Sequence, residues 1–155
     1  MQLFQTIIFI TWNAAIIIKY GMLPSMSDSH YALPKKYRGL FTLFIWALAV
    51  PMFFYSNQWY FLSGACICGT GAAAEFKIRF TKAGTVIKSI TRKVHAWGVY
   101  VGIAFAFIGL CQAELWYVPA LSFVGCLPFI KHKSAILLCE WVVIAAIITG
   151  LFIQY

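Results

Sequence analysis

Six apolar runs separated by short polar connections leave this chain few ways to fold. They extend from Leu3 to Ile18, Gly39 to Tyr55, Trp59 to Ala74, His95 to Leu115, Val118 to Ile130 and Ser134 to Tyr155. Of the 155 residues, 63% are hydrophobic and only 10% charged, against about half and about a quarter in a soluble domain. That little polar side chain cannot cover a water-facing surface, so the solvent is lipid, and in lipid the backbone must satisfy its own hydrogen bonds within helices. The expected fold is all-α: a polytopic membrane helix bundle of six transmembrane helices, one domain over residues 1–155. The first run lacks a basic leader and a small-residue cleavage site, so it reads as a retained helix.

Charge placement orients the bundle. Val118 to Ile130, between Pro119 and Pro128, is short for about 30 Å of hydrocarbon. If it nevertheless crosses, all twelve Lys and Arg fall on one side: Lys19, the loop from Gly21 to Arg38, the stretch from Glu75 to Val94, and Lys131 with Lys133. Positive-inside then puts those loops in the cytoplasm and both termini on the non-cytoplasmic side. The net charge of +8 accordingly reads as attraction to anionic lipid headgroups, with membrane lipids and not nucleic acid as the partner. Cys66, Cys68, Cys111, Cys126 and Cys139 all fall inside the runs, an odd number with no pair bracketing a loop, so no disulfide framework is expected.

Within the runs, Ser63 to Ala74 reads SGACICGTGAAA. Small residues let helices approach closely in lipid, which predicts that the third helix is central and that both Gly69 and Gly71 resist bulk. Pro51 predicts a kink near the end of the second. The stretch from Glu75 to Val94 is expected to break near Gly84, its flanks continuing the neighbouring helices.

The chemistry-bearing side chains gather at the cytoplasmic end. Asp28 and His30 lie in the first loop, Glu75 ends the third run, His95 starts the fourth, His132 precedes the sixth, and Glu140 is about two turns inside it. A carboxyl group that deep is costly and should face the bundle interior with a partner such as Lys19, His95 or Asn13, or be protonated. Asp28, His95 and Glu140 are the expected catalytic set, around one pocket with Glu75 nearby. Histidine plus carboxylates suits Zn²⁺ or another divalent metal, with Asp28, Glu75, His95 and Glu140 as ligands. No H-x-x-x-H or H-E-x-x-H spacing, P-loop, G-x-G-x-x-G or G-x-S-x-G occurs. Ser25, Ser27 and Asp28 are plausible local caps; Ser27 and Ser29 beside His30 read as a turn before they read as nucleophiles. The three histidines share one side, which leaves room for a single haem at most.

The segment Ser25-Met26-Ser27-Asp28-Ser29-His30-Tyr31, followed by Leu40 to Trp46 (LFTLFIW), resembles small multi-span membrane proteins of unknown function from bacteria and their phages. There an S-x-S-D-S-Y-Y loop precedes an L-F-T-L-F run; Gly71 to Phe76 and Val94-His95 are similar too. The resemblance spans about the first two-thirds of the chain, and implies a bacterial inner membrane protein without implying an activity. More remotely, a Ser/Asp/His set at helix ends is similar to the superfamily of alkaline ceramidases and adiponectin receptors. That resemblance implies zinc-dependent lipid hydrolysis, although those proteins have seven helices and a final H-x-x-x-H that this chain lacks. Three functions follow as expectations: a metal-assisted lipid-directed hydrolase at the cytoplasmic face, a small carrier or channel using Glu140 as a proton or cation site, or a non-catalytic membrane interaction protein.

Overall fold

The computed structural model describes residues 1–72, 79–80, 86–87 and 90–155, and the side chains of all of these but 79–80, 86–87 and 90–93. Seven α-helices occur among them: α1 (Gln2–Tyr20), α2 (Ser29–Ala32), α3 (Gly39–Ala49), α4 (Gln58–Ala72), α5 (Ile90–Gln112), α6 (Tyr117–Cys126) and α7 (Ala135–Gln154). The described residues are all-α apart from one pair of two-residue strands, in which Arg79 faces Ile87 and Phe80 faces Val86 in antiparallel register.

Among the described residues four helical segments are long and apolar enough to cross a membrane: Gln2–Tyr20, Lys35–Phe54 counted through its 3₁₀ ends, Val94–Gln112 and Ala135–Gln154. Tyr117–Phe129 is shorter, and α4 is helical over 15 described residues. The expected kink at Pro51 is a change of helix type: α3 tightens into a 3₁₀ segment over Val50–Phe54, with Pro51 in its first turn, where a missing N–H costs least. Between Glu75 and Val94, α5 already begins at Ile90, as the expected continuation of a flank requires. Where a break near Gly84 was expected, the chain forms the short antiparallel pair on either side of it. Gly84 itself and the other flank, with Glu75, lie outside the described residues.

The helices pack through small residues and buried polar side chains, as helices do in lipid, where water cannot drive them together. α4 lies between α3 and α5. A Cβ on Gly64 would meet Ala49 O at 2.9 Å, one on Gly71 would meet Ile45 Cγ2 at 3.0 Å, and one on Gly102 of α5 would meet Ile67 Cγ1 at 2.8 Å. Gly69 differs from the expectation: nothing lies within 4 Å of its Cβ position, because it faces away from both neighbours. Ser63 Oγ donates to Gly102 O at 2.7 Å, and Thr42 Oγ1 to Gly71 O at 3.0 Å. α1 joins the bundle the same way: buried Gln5 Nε2 donates to Leu48 O at 2.7 Å, and Trp141 Nε1 of α7 donates to Asn13 Oδ1 at 2.9 Å. Two apolar clusters result. One, around Tyr60, Leu110 and Leu151, fills the end nearer the loop between α5 and α6. The other, around Phe41, Phe44 and Leu137, fills the end under the first loop and takes in Met26 of that loop.

Candidate functional site

The first loop folds down into the bundle. Ser25 caps a single 3₁₀ turn, Met26–Asp28: Asp28 N donates to Ser25 Oγ at 3.3 Å, and Ser25 Oγ donates to Asp28 Oδ2 at 3.0 Å. Two bonds tie this turn to α7. Leu137 N, one of the otherwise unmatched donors in the first helical turn, donates to Pro24 O at 3.1 Å. Met26 N donates to Glu140 Oε2 at 2.6 Å. The Met26 side chain is buried among Phe41, Phe44, Ile45 and Leu48. Glu140, about 8 Å along α7 from its first residue by helical rise, is therefore met by the backbone N–H of Met26, where Lys19, His95, Asn13 or a protonated state was expected.

This anchoring sets Ser27 against α5. Ser27 Oγ and His95 Nε2 are 2.9 Å apart, and His95 Nδ1 is 3.1 Å from Thr70 O of α4. Both side chains are buried. A carbonyl only accepts, so Nδ1 carries a proton; in the neutral ring Nε2 is then the acceptor and Ser27 donates to it. A serine hydroxyl, an imidazole acceptor and a third group fixing the tautomer form the nucleophile–base–orienter arrangement of acyl transfer, with a main-chain carbonyl in the third role.

Two cavities meet at Ser27 and Glu140. A groove of about 640 Å³ opens beside α5 and α7, with Ser25, Ser27, His95 and Glu140 among its polar lining. Behind it an apolar pocket of about 90 Å³ shares Ser27 and Glu140 with the groove and is closed by Ile45, Ile67 and Ile144.

Of the residues singled out in the sequence, His95 and Glu140 thus line one groove. Asp28 caps its own turn with Ser25 and is absent from the groove lining, although it lies near enough to act electrostatically on Glu140. Glu75 lies outside the described residues. Among the described residues no three His, Cys, Asp or Glu side chains are grouped closely enough to hold a metal ion. His30 is buried with its ring edge-on to Tyr31 and Phe41, and His132 Nδ1 accepts from Ser134 N at the start of α7. The sequence reading put Ser27 next to His30, its neighbour in the chain, and so missed the partner 68 residues away. The available signal was that the first loop and the start of the fourth apolar run fall at the same end of the bundle. No family model matches the chain, nor does any curated protein or solved structure.

Proposed function

We propose that this chain is a membrane-embedded, lipid-directed hydrolase in which Ser27 is the nucleophile and His95 the general base. The observation that carries the reading is the buried Ser27–His95–Thr70 O relay, 2.9 Å and 3.1 Å, at the head of an open groove. As Ser27 Oγ bonds to an acyl carbon, its proton passes to His95 Nε2. His95 returns that proton to the departing alcohol oxygen as the old acyl bond breaks. Water then attacks the acyl-serine, again losing a proton through His95, and releases the free acid and Ser27. Thr70 O holds the ring orientation in both halves.

The membrane setting of this proposal has six crossings, with α4 and Tyr117–Phe129 completing the four long helices, and both termini on the non-cytoplasmic side of a bacterial inner membrane. Its support is that Lys19, Lys35, Lys36, Arg38, Lys131 and Lys133 all belong to the helix ends around the first loop, where anionic headgroups would meet them. The test is labelling of the purified full chain in nanodiscs by an alkyl fluorophosphonate. Wild type should be modified at Ser27, Ser27→Ala should not react, and His95→Ala should react far more slowly while keeping its helical circular dichroism. Failure of wild type to react would end the reading. Whether a Zn²⁺ or other divalent ion joins Asp28, Glu75, His95 and Glu140, the ligand set expected from the sequence, is tested by metal analysis of the same preparation.

One observation favours a second reading. Glu140 borders both cavities, as a carrier's proton or cation site would. Proton-coupled flux in liposomes that is lost in Glu140→Gln and retained in Ser27→Ala would select it.

A further inference from the structure

We infer that the groove between α5 and α7 is the acyl-chain site of this enzyme, and that its substrate is an acyl ester of a phosphate-bearing lipid. The inference rests on the hydrolase reading and adds the substrate class. α5 and α7 are in close contact at the end away from the first loop. There Leu110 packs against Gly150 so tightly that a Cβ on the glycine would overlap it, and Ala106, Ile147 and Leu151 join the same cluster. Toward the first loop the space between the helices is open, walled by Ala96, Val99 and Ile103 of α5 and by Ala135, Ile136 and Val143 of α7. These walls run for about 10 Å along α5 and about 12 Å along α7 by helical rise. Apart from Glu140, which interrupts the α7 wall between Ile136 and Val143, they carry no formal charge, so a hydrocarbon chain is the matching occupant of the remaining length.

Three features select a lipid chain among apolar occupants. First, the groove opens sideways: Tyr100 and Ile136 on its lip are 68% and 62% exposed, and both belong to segments long enough to cross the membrane, so a bilayer lipid enters without leaving the membrane. Second, Ser27 and His95 form a polar end where the first loop meets α5, and would meet an ester carbonyl at the head of a chain lying along the walls. Third, the connection between two groove residues, Ile130 and Ala135, carries exposed Lys131 and Lys133. Two ammonium groups beside the polar end complement a phosphate at the membrane surface. The chain, the scissile carbonyl and the phosphate are thereby matched in order along one direction.

The test compares hexadecyl and ethyl fluorophosphonate on the purified full chain, reading the ratio of their labelling rates at Ser27. Burial of even two methylenes is worth about tenfold, so wild type should favour the hexadecyl probe by at least about that factor. Val99→Trp or, if that variant does not fold, Ala135→Phe should bring the ratio back toward one. Release of fatty acid from lysophosphatidylglycerol relative to monoacylglycerol should fall in the Lys131→Gln/Lys133→Gln double variant. If neither probe labels Ser27, the hydrolase reading fails and takes this inference with it. If both probes label wild type equally, Ser27 remains a nucleophile and the groove is not its acyl site. If the lysine pair leaves the lipid ratio unchanged, the phosphate is not recognised there.

Discussion

Gly98 of α5 is the position at which one methyl group should disturb packing and chemistry together. It lies one turn from His95, facing α4. A Cβ there would sit 2.9 Å from Cys66 O and against Thr70 Oγ1; a main-chain oxygen cannot rotate away. Gly69 on α4 is the matched control, with nothing within 4 Å of its Cβ position. By helix propensity alone, alanine at either site should add about 1 kcal/mol. Overpacking a close helix contact costs about 1–3 kcal/mol. Gly69→Ala should therefore stabilise by up to about 1 kcal/mol, and Gly98→Ala should range from neutral to about 2 kcal/mol destabilised, so the two differ by about 1–3 kcal/mol. Moving α4 and α5 apart at this level also stretches the 3.1 Å contact between His95 Nδ1 and Thr70 O, so fluorophosphonate labelling of Gly98→Ala should slow as well. Reversible unfolding in mixed micelles, followed by far-ultraviolet circular dichroism, measures the first effect. Equal stability of the two variants, within about 0.5 kcal/mol, would refute the close α4–α5 contact on which the site geometry depends.

Four further outcomes are expected. Glu140→Leu removes the acceptor of Met26 N and should cost about 1–3 kcal/mol in the same unfolding titration, whereas Glu140→Gln keeps an acceptor and should lose less; equal losses would show that the bond to the loop is not what matters. Glu114 has φ 63° and follows α5 with bonds from Glu114 N to Cys111 O and from Leu115 N to Leu110 O, a helix-ending arrangement that normally takes glycine. Glu114→Gly should accordingly raise stability by about 1 kcal/mol, and a decrease would give the glutamate a role of its own. Asn13→Leu should lose about 0.6 kcal/mol through its bond to Trp141, and a gain would mean that the pair does not hold α1 against α7. In intact cells an impermeant thiol reagent should label Gln58→Cys and spare Lys36→Cys, both in a background without native cysteines; the reverse pattern would invert the proposed topology.

The amino-acid sequence by itself determined the apolar character, the helical class and the approximate limits of the helices. Each of these follows from local composition: a run such as Ala135–Gln154 needs no partner to be recognised as lipid-compatible, and the small residues of α4 mark a close contact wherever their neighbours stand. It also placed His95 and Glu140 near the same end of the bundle, because each lies a few residues from the start of its helix and helix length fixes position along the axis. Which side chain meets which was decided only by the tertiary structure. Position along the axis leaves rotation about each helix axis free, and rotation is what turns Gly64 and Gly71 toward α3 and its extension while Gly69 faces open space. The same freedom separates Asp28, which turns back on Ser25, from Ser27, which reaches His95. Met26 N lies opposite Glu140 because the loop is drawn inward by the burial of Met26 itself. That is a balance among three distant segments, and no local pattern of residues encodes it.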